Sequence, residues 1–391
     1  MTRPRILQVS TWNTPCGIAT YTADLIRALS DQGVECDVEA IDRALVATLA
    51  RKELRQYFED MASRAKGYDI VHVQHEFGFF SGSYGMPESI DAFASFLTRL
   101  RRYAPKVAVT FHSLPPIPTW HHEALRSALR EGFLWFKWRR EVVPFFSRPN
   151  VLTLAPSQFL RRSLVDSGIP RSLVRVIPQG SQTAMEPESD KGIAKNEVGL
   201  DEQTYVAALF GFVTRNKGHH VALEALRHLP DQFHLVIVGG PPPQGRDPAY
   251  DSVLEFRRKF QLLRHRIHVT GFLPSDEAAA YLRAADVCLA PYLDVASSAA
   301  VMWALASGAP LIASRISAFA ELNQKRQAAY LVTPNAPAEL ADAILKVSRD
   351  TDLKKKLVTN ALDYCREHSW DQIARAHIDA YSTIGQPPTN P

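Results

Sequence analysis

Short β-branched runs alternate with amphipathic stretches along almost the whole chain, and this alternation leaves few folds open. Parallel strands need long crossovers, usually helical, so the pattern describes a parallel sheet covered on both faces. In the first half it predicts strands at Ile6–Ser10, Glu35–Ala40, Ile70–Gln74, Val107–Phe111, Val151–Ala155 and Val174–Ile177. Ala19–Gln32, Ser89–Arg102, His121–Val142 and Gln158–Ser167 read as the helices between them. In the second half the strands are Tyr205–Phe210, His234–Val238, Ile267–Thr270, Val287–Ala290, Leu311–Ala313 and Ala329–Val332. Between the halves, Pro178–Asn196 is polar, contains Pro187 and lacks an apolar period, so it reads as a linker. Asp352–Gly385 reads as two helices broken near His368–Asp371. The 391 residues suit two domains, each with its own core. The expected fold is α/β, with two doubly wound Rossmann-like halves facing a central cleft outside the carboxyl ends of their strands.

Charge and cysteine usage exclude several functions. The 45 basic and 41 acidic side chains leave a net charge of +4, too small to imply a nucleic-acid partner. Cys16, Cys36, Cys288 and Cys365 include no pair at the short spacing of a metal knuckle or redox motif. They read as reduced thiols, and no metal and no cofactor is expected. The start of the chain runs directly into a strand, and no apolar run is long enough to span a bilayer. A cytoplasmic location is expected, peripheral to the inner face of the membrane at most.

Three segments at strand ends could carry chemistry. In Ser10–Tyr21, Gly17 stands alone in a strand-to-helix turn, where backbone N–H groups can approach a phosphate. In Phe210–His220, Arg215, Lys217 and Gly218 precede a helix over Val221–His228; a guanidinium fork, an ammonium and a helix start together suit a diphosphate. In Ala290–Pro310, Ser297 and Ser298 begin an alanine-rich helix and either cap it or offer N–H groups to an oxyanion. His112 follows the strand Val107–Phe111, where either a structural or a functional role is open. His72 and His75 stand three apart and point to opposite faces of a strand, so they cannot chelate one metal while the strand continues. His75 and Glu76, beyond that strand's expected end, are candidate acceptor-binding residues. Asp350-Thr-Asp352 has the spelling of a metal motif, but its place between surface helices makes it a helix cap.

These segments, in their order and spacing, resemble the retaining glycosyltransferases of family 4 over nearly the whole chain. The likeness is carried by Gly17–Tyr21, Asp69–Glu76, Val109–His112, Gly211 with Lys217-Gly218, Val269–Leu273, Ala285–Tyr292, Ala304–Ser314 and Trp370. The resemblance implies a GT-B fold, with an acceptor-binding domain over 1–183 and a nucleotide-sugar-binding domain over 184–368. A terminal helix over 369–391 would cross back onto the first domain. It implies a nucleoside diphosphate sugar as donor, a glycan or lipid-linked acceptor, and no metal. By resemblance Lys217 grips the diphosphate, Arg215 stands in for the usual arginine, and Phe272 and Leu273 lie beneath the nucleobase. His112 matches the histidine beside the reacting carbon. The family commonly has two glutamates eight positions apart, and here those positions hold Val295 and Trp303. Asp294 adjoins the first and is the candidate substitute in the catalytic set, while Trp303 falls at the ribose. A non-catalytic GT-B protein that binds a nucleotide or glycan, or scaffolds a partner enzyme, is the competing expectation, and the missing acids are its support.

Gly132–Phe146 crowds two tryptophans, four phenylalanines and three cations of the first half into one stretch. On a helix Trp135 and Trp138 share a face with Arg139 beside it, which predicts either an aromatic core face or a peripheral membrane contact.

Overall fold

The computed structural model describes residues 4–113, 125–185, 191–242 and 248–386. The chain divides into two compact units, Met1–Gln179 with Trp370–Pro391, and Gly180–Ser369. All twelve expected strands form, with ends shifted by at most a residue: β1 (Ile6–Ser10), β2 (Cys36–Ala40), β3 (Ile70–His75), β4 (Val107–Phe111), β5 (Val151–Ala155), β6 (Val174–Val176), β7 (Tyr205–Phe210), β8 (Phe233–Val238), β9 (Ile267–Val269), β10 (Val287–Ala290), β11 (Leu311–Ser314) and β12 (Ala329–Val332).

The first unit's sheet has the order β2-β1-β3-β4-β5-β6 and is parallel throughout. Its order reverses between β1 and β3, where Ile6 pairs with Ile70. The second unit's sheet runs β12-β11-β10-β7-β8-β9, also parallel, and reverses between β7 and β10. At such a reversal the two crossovers leave in opposite directions and open a crevice at the strands' carboxyl ends.

Period-two burial builds the second unit. Val206 and Ala208 of β7, Val236 and Val238 of β8, and Cys288 and Ala290 of β10 enter one core cluster. Their alternates Ala207, Leu209, Leu235, Ile237, Val287 and Leu289 enter the cluster on the other face. Both faces are therefore dry, which is why these strands read as continuous apolar runs.

In the first unit, helix α1 (Gly17–Asp31) buries Tyr21, Leu25, Ala28 and Leu29 at helical spacing. It ends where Gly33 takes φ 73° and the N–H of Val34 donates to Leu29 O at 2.9 Å. Helix α2 (Arg51–Ser63), α3 (Met86–Leu100), α4 (Leu125–Glu141) and α5 (Gln158–Asp166) complete the covering used below. The part of the expected His121–Val142 helix at 121–124 lies outside the described residues.

The stretch expected as a linker is structured at its end. Lys191–Glu197 is helical, and Lys195 Nζ pairs with Asp286 at 3.0 Å with both side chains buried. Asp286 also accepts the N–H of Val206 at 2.8 Å, which ties this helix to the first strand of the sheet. Pro187 lies outside the described residues. The expected pair of terminal helices is present, α8 (Thr351–Glu367) and α9 (Trp370–Ser382), after α6 (His219–Leu226) and α7 (Ala299–Ala306). Asp350 caps α8 by accepting the N–H of Leu353 at 2.9 Å, as its position in the sequence suggests. Helix α9 belongs to the first unit, where Ile373, Ala374, Ala380 and Tyr381 share a core with Tyr21, Leu25 and Leu29.

Candidate functional site

At the reversal of the second sheet, the loop after β7 meets the loop after β10. Gly211 has φ 103°, and a Cβ there would fall 2.4 Å from Lys217 Nζ, so the ammonium rests against bare backbone. Gly239, after β8, would place a Cβ 2.1 Å from Gly211 O, and one on Gly240 would stand 3.1 Å from the N of Phe272. Three strand ends thus converge closely because three positions carry no side chain. Arg215–Lys217 forms a single 3-10 turn, after which Gly218 is left-handed at φ 67° and starts α6. A Cβ on Gly218 would lie 1.9 Å from Pro291 O. The N–H of Leu293 donates to Asn216 O at 2.7 Å, and Asn216 Nδ2 donates to Asp294 O at 3.3 Å. The two loops are therefore one unit, with Lys217 Nζ 5.8 Å from the ring centre of Tyr292.

This geometry brings Lys217 against the glycines and leaves Arg215 exposed on the same turn. Asp294 is exposed on the facing loop and Ser297 is half-buried. Ser298 caps α7, its hydroxyl accepting the N–H of Val301 at 3.4 Å and lying 3.3 Å from the Tyr292 hydroxyl. Phe272 is 61% exposed, and its ring lies near-parallel to Phe212 at 6.1 Å. Leu273 is half-buried against the core. Trp303 packs on Phe210 at 5.5 Å, and both Trp303 and Val295 lie against the apolar core cluster. The positions where the family carries acids are thus apolar in packing as well as in spelling. His219, the first residue of α6, is buried, and burial with the nearby Lys217 charge pushes its pKa down to about 3.

At the reversal of the first sheet the strand ends carry polar side chains instead. His112 follows β4, and its N–H donates to His75 O at 2.9 Å, extending the ladder by one residue. Its Nε2 lies 2.9 Å from Gln74 Oε1. Gln74 Nε2 donates to Gln8 Oε1 at 3.3 Å and lies 3.3 Å from His72 Nε2, which assigns the amide oxygen to His112 and the Nε2–H tautomer to that histidine. His72 Nε2 is 2.7 Å from Thr110 Oγ1, and His72 Nδ1 is 2.7 Å from the Tyr381 hydroxyl on α9. Tyr21 meets the His112 ring edge-on at 5.1 Å and reaches His377 Nε2 at 3.4 Å. Burial holds His112 at about pKa 3, so it is neutral at ordinary pH, with Nδ1 as the ring's acceptor.

One expectation changes here. The strand β3 continues through His75, so the side chain turns inward and is fully buried. Its ring sits among Phe77, Phe80, Phe93 and Phe111, with pKa lowered to about 3 by burial, and cannot reach an acceptor from that position. Glu76 begins the short helix Phe77–Phe80 and accepts the N–H of Gly78 at 3.4 Å; burial raises its pKa while Ser113 and Arg43 act against the shift. Gly17 is exposed at the start of α1, and a Cβ there would meet nothing within 4 Å.

Gln74, Arg43, Asn216 and Gly239 were not among the expected site residues. Gln74 had a signal: His72 and Gln74 are polar at period two inside an apolar central strand, which demands buried partners. Arg43 starts a short helix and Asn216 sits in the 3-10 turn, and both meet partners on segments distant in sequence. Among the described residues no cluster of three or more metal-ligating side chains is found.

The chain matches two family models, one for each half. Residues 15–184 match the model described as Glycosyltransferase Family 4, and residues 204–350 match Glycosyl transferases group 1. A D-inositol 3-phosphate glycosyltransferase of Acidothermus cellulolyticus is 24% identical over 408 residues, covering 93% of this chain and 85% of the relative. Another of that name, from Corynebacterium kroppenstedtii, is 27% identical over 230 residues; the match takes in 54% of this chain and about half, 48%, of that relative. Among solved structures, Anabaena HepE in complex with UDP-glucose superposes with a TM-score of 0.70 at 17% identity, covering 98% of this chain and 100% of HepE. That likeness is one of fold.

Proposed function

We propose that this chain, whose two halves match glycosyltransferase family models, transfers a sugar from a nucleoside diphosphate sugar to a hydroxyl of a glycan or lipid-linked acceptor. The observation that carries this reading is the seat of Lys217 against Gly211 where the second sheet reverses. There an ammonium, an exposed guanidinium at Arg215 and the N–H groups starting α6 and α7 stand ready for the charge of a departing diphosphate. The nucleobase lies over Phe272 and Leu273, with the ribose toward Trp303. A UDP-sugar is the first donor to assay, because HepE was solved with UDP-glucose.

Transfer proceeds with retention and without a metal ion. The acceptor oxygen bonds to the anomeric carbon on the face that the diphosphate leaves, and the acceptor proton passes to a diphosphate oxygen. Neutral His112 accepts a hydrogen bond from a hydroxyl of the donor sugar at Nδ1, the open backbone at Gly17 approaches the diphosphate, and Glu76 with Arg43 receives the acceptor. Asp294 contacts the donor sugar from the loop tied to Asn216. A peripheral membrane contact brings a lipid-linked acceptor within reach.

The test is Lys217→Ala against wild type with UDP-glucose and other nucleotide sugars. A fall in kcat/KM of at least tenfold, or ~1.4 kcal/mol, at unchanged melting temperature is expected, and a smaller fall removes Lys217 from a principal role. The apolar packing of Val295 and Trp303 favours one second reading, a non-catalytic nucleotide- or glycan-binding protein. Stabilisation by UDP or GDP, with no hydrolysis or transfer from any donor, would select it.

A further inference from the structure

Three large apolar side chains of α4 face solvent, and they fall on one stripe. Leu129 is 65% exposed, Phe133 58% and Phe136 58%, at spacings of four and three. The helix is not short of a core: Leu134 and Trp138 are buried, and Trp138 Nε1 donates to Ser167 Oγ at 3.2 Å within the aromatic cluster of Phe77 and Phe111. The tryptophan face suggested by the sequence is thus the inner one, with Trp135 half-buried under Arg139 at 4.7 Å. The outer face has apolar residues that the fold does not use.

Its charge is of one sign. Arg130, Arg139 and Arg140 are exposed along the stripe, and Arg140 lies over the Phe136 ring at 5.7 Å. The acids of this helix, Glu131 and Glu141, are turned partly inward, and Glu141 is held by Lys137 at 3.1 Å and by Arg140 at 2.6 Å. Lys137 is itself tied inward to Asp91. Phenylalanines beside arginines, with no acid on the outer arc, suit the boundary between acyl chains and anionic headgroups. A second copy seated on the same face would set these arginines against their equivalents. No helix among the described residues is long and apolar enough to cross a membrane, so a contact through α4 lies along the surface.

We propose that the outer face of α4, with Leu129, Phe133 and Phe136 inserted and Arg130, Arg139 and Arg140 on headgroups, docks this chain on an anionic lipid bilayer. The proposal deepens the peripheral contact in the functional reading, and its test needs no turnover. The full-length chain is co-sedimented with vesicles of phosphatidylcholine containing phosphatidylglycerol, and with phosphatidylcholine alone. Binding to the anionic vesicles that weakens with salt is expected, with Phe133→Ser/Phe136→Ser lowering the partition at least tenfold at unchanged melting temperature. Arg139→Gln/Arg140→Gln should reduce binding to anionic vesicles, whereas Leu262→Ser, an exposed apolar site on the second unit, should not. Absence of binding at low salt, or full binding by the phenylalanine variant, overturns the proposal. Self-association in sedimentation velocity that the same variant abolishes, without vesicle binding, also overturns it and assigns the face to a second copy. Loss of vesicle binding with transfer to a soluble acceptor intact separates this failure from failure of the functional reading.

Discussion

The two sheets reverse their strand order in the same way and furnish the reversal with opposite materials. In the second unit the strand ends are stripped to Gly211, Gly239 and Gly240, and one ammonium lies on the bare backbone. In the first unit they are filled by Gln8, His72, Gln74, Thr110 and His112, each tied to another side chain. A glycine floor lets a polyanion come close to backbone N–H groups, while a side-chain network fixes the direction of one hydrogen-bonding ring. One topology thus provides a seat for charge in one unit and a set orientation in the other.

Acid should divide the two units most strongly. In the second unit His234, His268 and His368 have lowered pKa values but stay partly exposed, and solvent screening lessens their weight. Among the described residues His72, His75 and His377 are fully buried in the first unit, beside His112 with its lowered pKa, against His219 in the second. Their folded pKa values lie below the unfolded value, about 3 for His75 and His219 and about 4 for His377. Below pH 6.5 the unfolded chain therefore binds protons that the native chain refuses, and stability falls with pH until the folded pKa is reached. Each such histidine costs about 2 kcal/mol at pH 5 relative to neutral pH. Calorimetry from pH 8 to 5 should show the first unit melting earlier as pH falls, with His75→Phe recovering part of the loss. Parallel decline of both units would break the contrast.

Gly211→Ala tests the glycine floor. The new methyl would occupy the place of the Lys217 ammonium and force a side chain into φ 103°. A fall in kcat/KM of about 100-fold, or ~2.7 kcal/mol, is expected, with a smaller loss in melting temperature. Gln74→Leu tests the network and should lower kcat/KM about tenfold by releasing His112 Nε2, with kcat carrying most of the fall. Gln74→Glu sharpens this: a carboxylate beside His112 raises a pKa now near 3, so a new acid inflection should enter the pH–rate profile. A profile identical to wild type would reduce Gln74 to packing. The smallest effect belongs to Gly17→Ala, where space is open and φ is ordinary. Stability should change by no more than about 0.5 kcal/mol, so any rise in KM reports on an incoming ligand.

Strand placement was legible because both faces of each sheet are buried and the apolar runs mark it directly. Lys217 was legible because a strand end followed by two cations and a glycine precedes a helix. The direction of Trp138 was not, since periodicity says which residues share a face but not which face meets a core built from Phe77, Phe111 and Ser167. His75 failed for a smaller reason: one more residue of strand turns a side chain from the rim to the interior. The Lys195–Asp286 pair joins residues far apart in sequence, so the polar spelling around Lys195 looked like a linker.

The place of α9 bears on the order in which the chain matures. Most of the first unit is translated before the second, yet Tyr381 and His377, which meet His72 and Tyr21, arrive only after the whole second unit. Until then α1 lacks the partner that Ile373, Ala374 and Ala380 supply, and the His72 imidazole has no phenol. The second unit has all its own strands before that helix emerges, so the half that leaves the ribosome first is the last to be finished, and an internal unit can be folded while it waits.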